Sequence, residues 1–128
     1  MRISSENNVK GTFYGIGVGP GDPGLLTIKA QRTLQNAAVI CFTQLDDGKQ
    51  SFALSVVQEI LEAARPTFLA ITIPSDDNII VDPKTWLNAA KDIARHIVVG
   101  GDVAFITEGD PMLYSEFFQV LESVKAEV

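Results

Sequence analysis

One cysteine, Cys41, and one histidine, His96, are all that the sequence offers in thiol and imidazole chemistry. A lone cysteine excludes an internal disulfide and makes a reducing compartment, the cytoplasm, the natural setting. A protein-built zinc or iron–sulfur site draws on about three or four such ligands, so no metal centre is expected. Basic residues are also in deficit, and the net charge is −6. Binding a nucleic-acid backbone takes clustered Lys and Arg, and a membrane-surface patch takes runs of like charge; neither is present. No apolar run approaches the ~20 residues of a membrane-spanning helix. The opening MRISSENNVK lacks the apolar core of a secretory signal. The expected organisation is a frayed polar tail over 1–10 and one domain over 11–128.

What is there is an alternation of two periodicities. Continuous apolar runs predict strands over 12–18, 38–42, 68–73 and 103–107, as strands buried in a parallel sheet should read. Between them, helical spacing predicts a helix over 27–36 with Ile28, Ala30, Leu34 and Ala37 inward. A second, over 52–64, carries Leu54, Val57, Ile60, Leu61 and Ala64 and is stopped by Pro66. A third places Trp86, Leu87, Ala90, Ile93, Ala94, Ile97 and Val98 on one stripe, with Gly100 and Gly101 as its stop. A last helix carries Phe117, Phe118, Leu121 and Val124. Strands alternating with helices give the α/β class, a parallel sheet with helices on both faces and right-handed crossovers.

In open parallel sheets, ligands bind outside the carboxyl ends of the strands, and two loops at such ends stand out. The first is Gly15-Ile16-Gly17-Val18-Gly19-Pro20-Gly21-Asp22-Pro23. It fails the dinucleotide fingerprint, since Pro20 or Asp22 falls where the third glycine belongs, and no Gly-Lys-Ser/Thr follows it. Asp22 with no basic residue beside it disfavours a phosphate and favours a ligand with hydroxyls, amines or positive charge. The plain alternative is a glycine turn that only lets a strand pack closely. The second loop is Thr107-Glu108-Gly109-Asp110-Pro111, where Asp110 and Pro111 would also serve as helix N-cap and N1.

YGIGVGPGDPGLLTIKA, followed from Asp102 by DVAFITEGDPMLYSEF, resembles the two N-terminal motifs of the tetrapyrrole (corrin/porphyrin) methylase family. The Tyr-Ser ending is most similar to the precorrin-2 carbon-20 methyltransferases. The resemblance implies the N-terminal α/β domain of that fold, in which the first and fourth strands are adjacent. It also implies a cleft for S-adenosyl-L-methionine shared with a C-terminal domain. This sequence would then be an N-terminal part, inactive alone, whether excised or cut short in the gene. Carried over by position, cofactor contacts fall on Pro20, Glu108, Gly109, Asp110 and Leu113. Gly19, Gly21, Asp22, Tyr114 and Ser115 are candidate substrate contacts; Ser115 also suits a helix cap.

The acid/base aspartate of uroporphyrinogen methyltransferase relatives is replaced by Thr43, and their lysine has no match, so no catalytic residue is assigned. The implied reaction is methyl transfer to carbon-20 of precorrin-2 or its cobalt form. Other acceptors within the family are uroporphyrinogen, a diphthamide-forming elongation factor or ribosomal RNA. A non-catalytic module that binds a ligand or partner is the rival from another class. Precorrin-2 is rich in carboxylates, and Lys29 and Arg32 are candidate contacts for them. His96 reads as a surface histidine, Cys41 and Trp86 as core, and Asp46-Asp47-Gly48 as a solvated turn. A homodimer is expected, because a sheet short of its last strand exposes an edge and an apolar patch.

Overall fold

The computed structural model describes residues 9–19, 23–61, 64–109 and 115–128. Strand β1 (Phe13–Gly17) leads through a 3-10 turn (Pro23–Leu25) to α1 (Ile28–Asn36) and β2 (Val39–Leu45). Then come α2 (Phe52–Leu61), β3 (Thr67–Ile73), α3 (Pro83–Val98), β4 (Val103–Thr107) and α4 (Ser115–Glu127). All pairings are parallel and the strand order is β1-β4-β2-β3. The α/β class and the adjacency of first and fourth strands match expectation. The tail over 1–8 lies outside the described residues.

β4 is buried at all five positions, and its side chains alternate between two cores. Val103 and Phe105 join Val39 and Cys41 of β2 under α3 and α4. Ala104 and Ile106 join Ile40 and Phe42 under α1 and α2. This is period-2 geometry sorting one apolar run onto two faces, with each fully buried Val, Ile or Phe worth roughly 1.5–3 kcal/mol. Phe117 fixes the start of α4 by packing on Phe13 and Phe105, at ring-centroid distances of 5.7 and 5.6 Å.

Helix ends follow local chemistry. Thr27 Oγ1 accepts from the Ala30 amide, Ser51 Oγ from Leu54 and Asp82 Oδ1 from Lys84, satisfying first-turn donors. Arg65, at φ +50°, precedes Pro66 beyond α2. Gly100, at φ +94°, closes α3 as the Gly100 and Gly101 amides donate to Ile97 and His96.

At the amino rim, Asp102 ties three strands together. Its carboxylate accepts from the Thr12 amide at 2.8 Å, and its carbonyl accepts from the Ala38 amide at 2.8 Å.

All four helix faces differ in part from expectation. Ile28 is 69% exposed, and Leu87 and Val98 stand at the margin of the α3 stripe, where Ala89 is buried instead. On α2 the inward residues are Ala53, Val56, Val57 and Leu61, a stripe rotated from the one expected. On α4 Val120 is fully buried while Phe118 is partly exposed. Strand β2 runs on through Thr43 and Gln44 to Leu45, past the end of its apolar run.

A methyl group at Gly11 would run into the carbonyl oxygen of Gly101, where the chain enters β1. Gly11→Ala is expected to lower unfolding free energy by about 1–3 kcal/mol, read as a reduced urea midpoint. Lys10→Ala, on the exposed neighbour, should stay within about 0.5 kcal/mol of the parent. Equal midpoints for the two variants would contradict this packing.

Candidate functional site

The helices after β1 and β2 cover one face of the sheet, and the helix after β4 covers the other. β4 therefore has a neighbour on each side whose chain leaves in the opposite direction. At such reversals a crevice opens outside the carboxyl ends of the strands, and here there are two.

The first crevice lies between β1 and β4. Gly17 is in register with Thr107, and the Val18 amide donates to the Thr107 carbonyl at 2.8 Å. The two glycine-bearing turns thus leave the sheet side by side from one rim. Gly19 takes φ +74°, a backbone conformation that favours glycine. Thr107 is buried, and its hydroxyl donates to the Gly109 carbonyl at 2.6 Å. That bond curls the second turn back on itself and leaves Glu108 exposed at its tip. No lysine or arginine occurs in the described part of either turn.

The second crevice lies between β4 and β2. These strands pair only from Val39↔Val103 to Cys41↔Phe105. Beyond that, β4 stays with β1 while β2 stays with β3 as far as Leu45↔Ile73. The divergence opens a cleft of about 350 Å³. Leu45, Phe52, Ile73, Phe105 and Ile106 give it apolar walls, and Thr43, Gln44, Lys49, Gln50, Glu108 and Glu116 give it polar ones. Glu108 thereby belongs to both crevices.

The loops over β2 and β3 are tied at this rim. Asp46 Oδ1 accepts from the Ser75 amide at 2.9 Å, and the Asp46 amide donates to the Ile73 carbonyl at 3.0 Å. The Ser75 hydroxyl, then its amide, hold the exposed Asp46 carboxyl below the ordinary aspartate range. Asp47 Oδ1 accepts from the Lys49 amide at 2.9 Å, and Gly48 turns between them at φ +82°.

Of the residues singled out in the sequence, Gly19, Glu108 and Gly109 stand on the paired turns, and Ser115 opens α4. Pro20, Gly21, Asp22, Asp110, Leu113 and Tyr114 lie outside the described residues. Lys29 and Arg32 are exposed on α1 and do not line the cleft; the cation there is Lys49, which sequence reasoning passed over. Thr43, noted only as a replacement for an acid, lines the cleft too. Gln44 was also missed, and Thr107 was noted only as the start of its loop; polar residues closing an apolar strand at the carboxyl rim are the signal that could have found them.

The Cys41 thiol is buried in the sheet and burial pushes its pKa far up, so it is inert core. Trp86 packs in the α3 core. His96 is half-buried with Nδ1 against the Asp92 carbonyl at 2.9 Å. No cluster of three His, Cys, Asp or Glu residues suited to a metal occurs among the described residues, and no described helix is long and apolar enough to cross a membrane.

The sequence profile of the Tetrapyrrole (Corrin/Porphyrin) Methylases matches residues 12–128. The chain is 33% identical over 119 residues to the probable cobalt-precorrin-2 C(20)-methyltransferase of Methanocaldococcus jannaschii, covering 93% of this chain and 50% of that protein. It is 32% identical over 123 residues to the cobalamin biosynthesis protein CobIJ of Mycobacterium tuberculosis, covering 88% of this chain and 23% of that one. A solved structure of a putative cobalamin synthesis related protein (CobF) from Corynebacterium diphtheriae aligns with a TM-score of 0.68 at 26% identity. That match covers 91% of this chain and 48% of the other. The chain spans half or less of the length of each of these three proteins.

Two expectations follow from the rim. Thr107→Val keeps the side-chain volume but deletes the donor to Gly109; it should cost about 1 kcal/mol of stability and speed amide exchange at Glu108 and Gly109. Unchanged exchange would show that the hydroxyl does not hold the turn. A carboxyl whose folded pKa is depressed stabilises the fold above its unfolded value, about 3.9 for aspartate. That contribution disappears as pH falls through the lower folded value. An NMR titration should find the Asp46 midpoint below that of a free aspartate, and Ser75→Ala should move it back up.

Proposed function

The chain belongs to the tetrapyrrole methylases, and on that premise we propose that it serves S-adenosyl-L-methionine-dependent methylation of carbon-20 of precorrin-2, or of its cobalt form, in cobalamin biosynthesis. The observation that carries the reading is the register of Gly17 with Thr107, which brings both glycine turns to one crevice. The groups there fit the methyl donor. An exposed carboxylate on Glu108, backbone groups around Gly109, and no basic side chain in the described part of either turn suit hydroxyls and an amine. They do not suit a phosphate.

Pro20, Glu108, Gly109, Asp110 and Leu113 are the proposed contacts for the donor, and Gly19, Gly21, Asp22, Tyr114 and Ser115 those for the acceptor. When bound, the donor supplies a sulfonium methyl to an electron-rich ring carbon. The chain's own part is positioning, which in favourable cases is worth effective molarities of about 10⁵ to 10⁸ M. A carboxylate set against the sulfur would stabilise the charged ground state more than the transition state and oppose catalysis. Asp110 is therefore assigned to a ribose hydroxyl or the methionyl amine. With one wall of the donor site in this chain, little methyl transfer and weak donor affinity are expected of it alone. A homodimer working in the cytoplasm completes the reading.

Titration calorimetry with S-adenosylhomocysteine tests the site directly. Binding to the 128-residue chain should be measurable and should tighten in a form extended to the length of its relatives. Glu108→Gln and Asp110→Asn should each weaken it about tenfold, the loss of one charge-assisted hydrogen bond. Absence of binding to folded protein at millimolar ligand, or two variants indistinguishable from the parent, would remove the donor site from this crevice.

A further inference from the structure

The β4/β2 crevice holds a cation that no anion of the described chain engages. Lys49 lines its wall and is exposed. It forms no ion pair among the described residues, where the two pairs are Arg95–Asp92 and Lys125–Glu122. The neighbouring acids do not line the cleft: Asp46 Oδ1 accepts from the Ser75 amide and Asp47 Oδ1 from the Lys49 amide. These bonds and the turn at Gly48 present the base of the lysine to the cleft. Around it the cleft is apolar through Leu45, Phe52 and Ile73, with the amides of Gln44 and Gln50 as further donors. Leu45, at the end of β2, and Phe52, at the start of α2, are 43% and 50% exposed and give the cleft its apolar lip.

An apolar wall edged by one free cation and neutral donors matches a ligand with a flat apolar body and carboxylates at its periphery. The acidic side chain at the opposite end of the cleft, Glu108, directly follows β4. Its like charge disfavours a ligand carboxylate at that end and orients it toward Lys49. We infer that Lys49 is a specificity-determining contact, pairing with a ring carboxylate of the acidic tetrapyrrole, one edge of which enters the β4/β2 crevice. The inference rests on the methylase reading and goes beyond it by extending the acceptor site from the turns after β1 and β4 into the β4/β2 crevice, with Glu108 at the boundary.

The test titrates uroporphyrin, a stable octacarboxylate, into the 128-residue chain, following porphyrin fluorescence, alongside calorimetry with S-adenosylhomocysteine. Lys49→Gln should weaken porphyrin binding about fivefold to tenfold, the scale of a charge-assisted bond at a partly exposed site. Lys49→Arg should restore it to within about twofold, because the charge is kept. The parent's porphyrin affinity should fall with added salt, and that dependence should be shallower in Lys49→Gln. S-adenosylhomocysteine affinity should be the same in all three proteins. Porphyrin binding that is indifferent to Lys49→Gln overturns the inference while leaving the donor site standing. So does S-adenosylhomocysteine binding with no porphyrin binding. Loss of both ligands in the parent removes the methylase reading, and this inference with it.

Discussion

β4 cannot keep both of its neighbours to the end. It pairs with β1 along all five residues and with β2 along three. The ladder with β1 even continues past the strand, through the Val18 amide and the Thr107 carbonyl. Backbone donors and acceptors must find partners, and β2 finds them in β3, staying with it through Leu45. The gap between β4 and β2 follows from that choice of partners, and so does its chemistry. Where two strands of a buried sheet part, core side chains such as Phe105 and Ile106 become the floor of a cleft without leaving the core.

That origin makes the cleft floor rigid. Phe105 is held in a three-ring cluster with Phe13 and Phe117, and Ile106 is packed in the opposite core with Val18. Close-packed interiors transmit displacement rather than absorb it. A change in either core would therefore be felt at the rim. The turns above the floor are fixed by a few hydrogen bonds, from Thr107 to Gly109, from Ser75 to Asp46 and from the Asp46 amide to Ile73. The division is between a packed base and a lightly tied rim, which is how a site keeps its geometry while admitting a ligand.

Most of the fold was legible because its signals are local. The five residues of β4, the start of α1 near Thr27 and the Gly100 stop can each be read from a few neighbouring letters, and strand–helix alternation then leaves little freedom in architecture. The sides of helices were less legible. Ile28, Leu87 and Val98 are apolar but stand at stripe margins, and a one-position rotation of the α2 face depends on how that helix lies on the sheet. The end of β2 was missed for a related reason. Thr43 and Gln44 break the apolar run, yet β3 continues to pair with them, and pairing length is a property of two strands. Of the candidate site, the turns that bear Gly19, Glu108 and Gly109 were singled out through glycine and acid at strand ends. Lys49 was passed over because Asp46-Asp47-Gly48 reads as an ordinary solvated turn until the parting of β4 and β2 gives that turn a cleft to border.

An acidic chain proposed to take an acidic ligand looks unfavourable only if charge is counted over the whole molecule. At physiological salt the screening length is about 8 Å, so most of the net charge of −6 acts weakly at any one cleft. What matters there is which charges face inward. Asp46 and Asp47, beside Lys49, do not line the cleft, and each accepts from a backbone amide. Lys49 is the cation of the cleft, and Glu108 supplies the opposite sign at its other end. A cleft polarised in this sense favours one orientation of a carboxylate-bearing ring over its reverse. For the proposed methyl transfer, which must place one particular carbon before a donor, orientation is the quantity that counts.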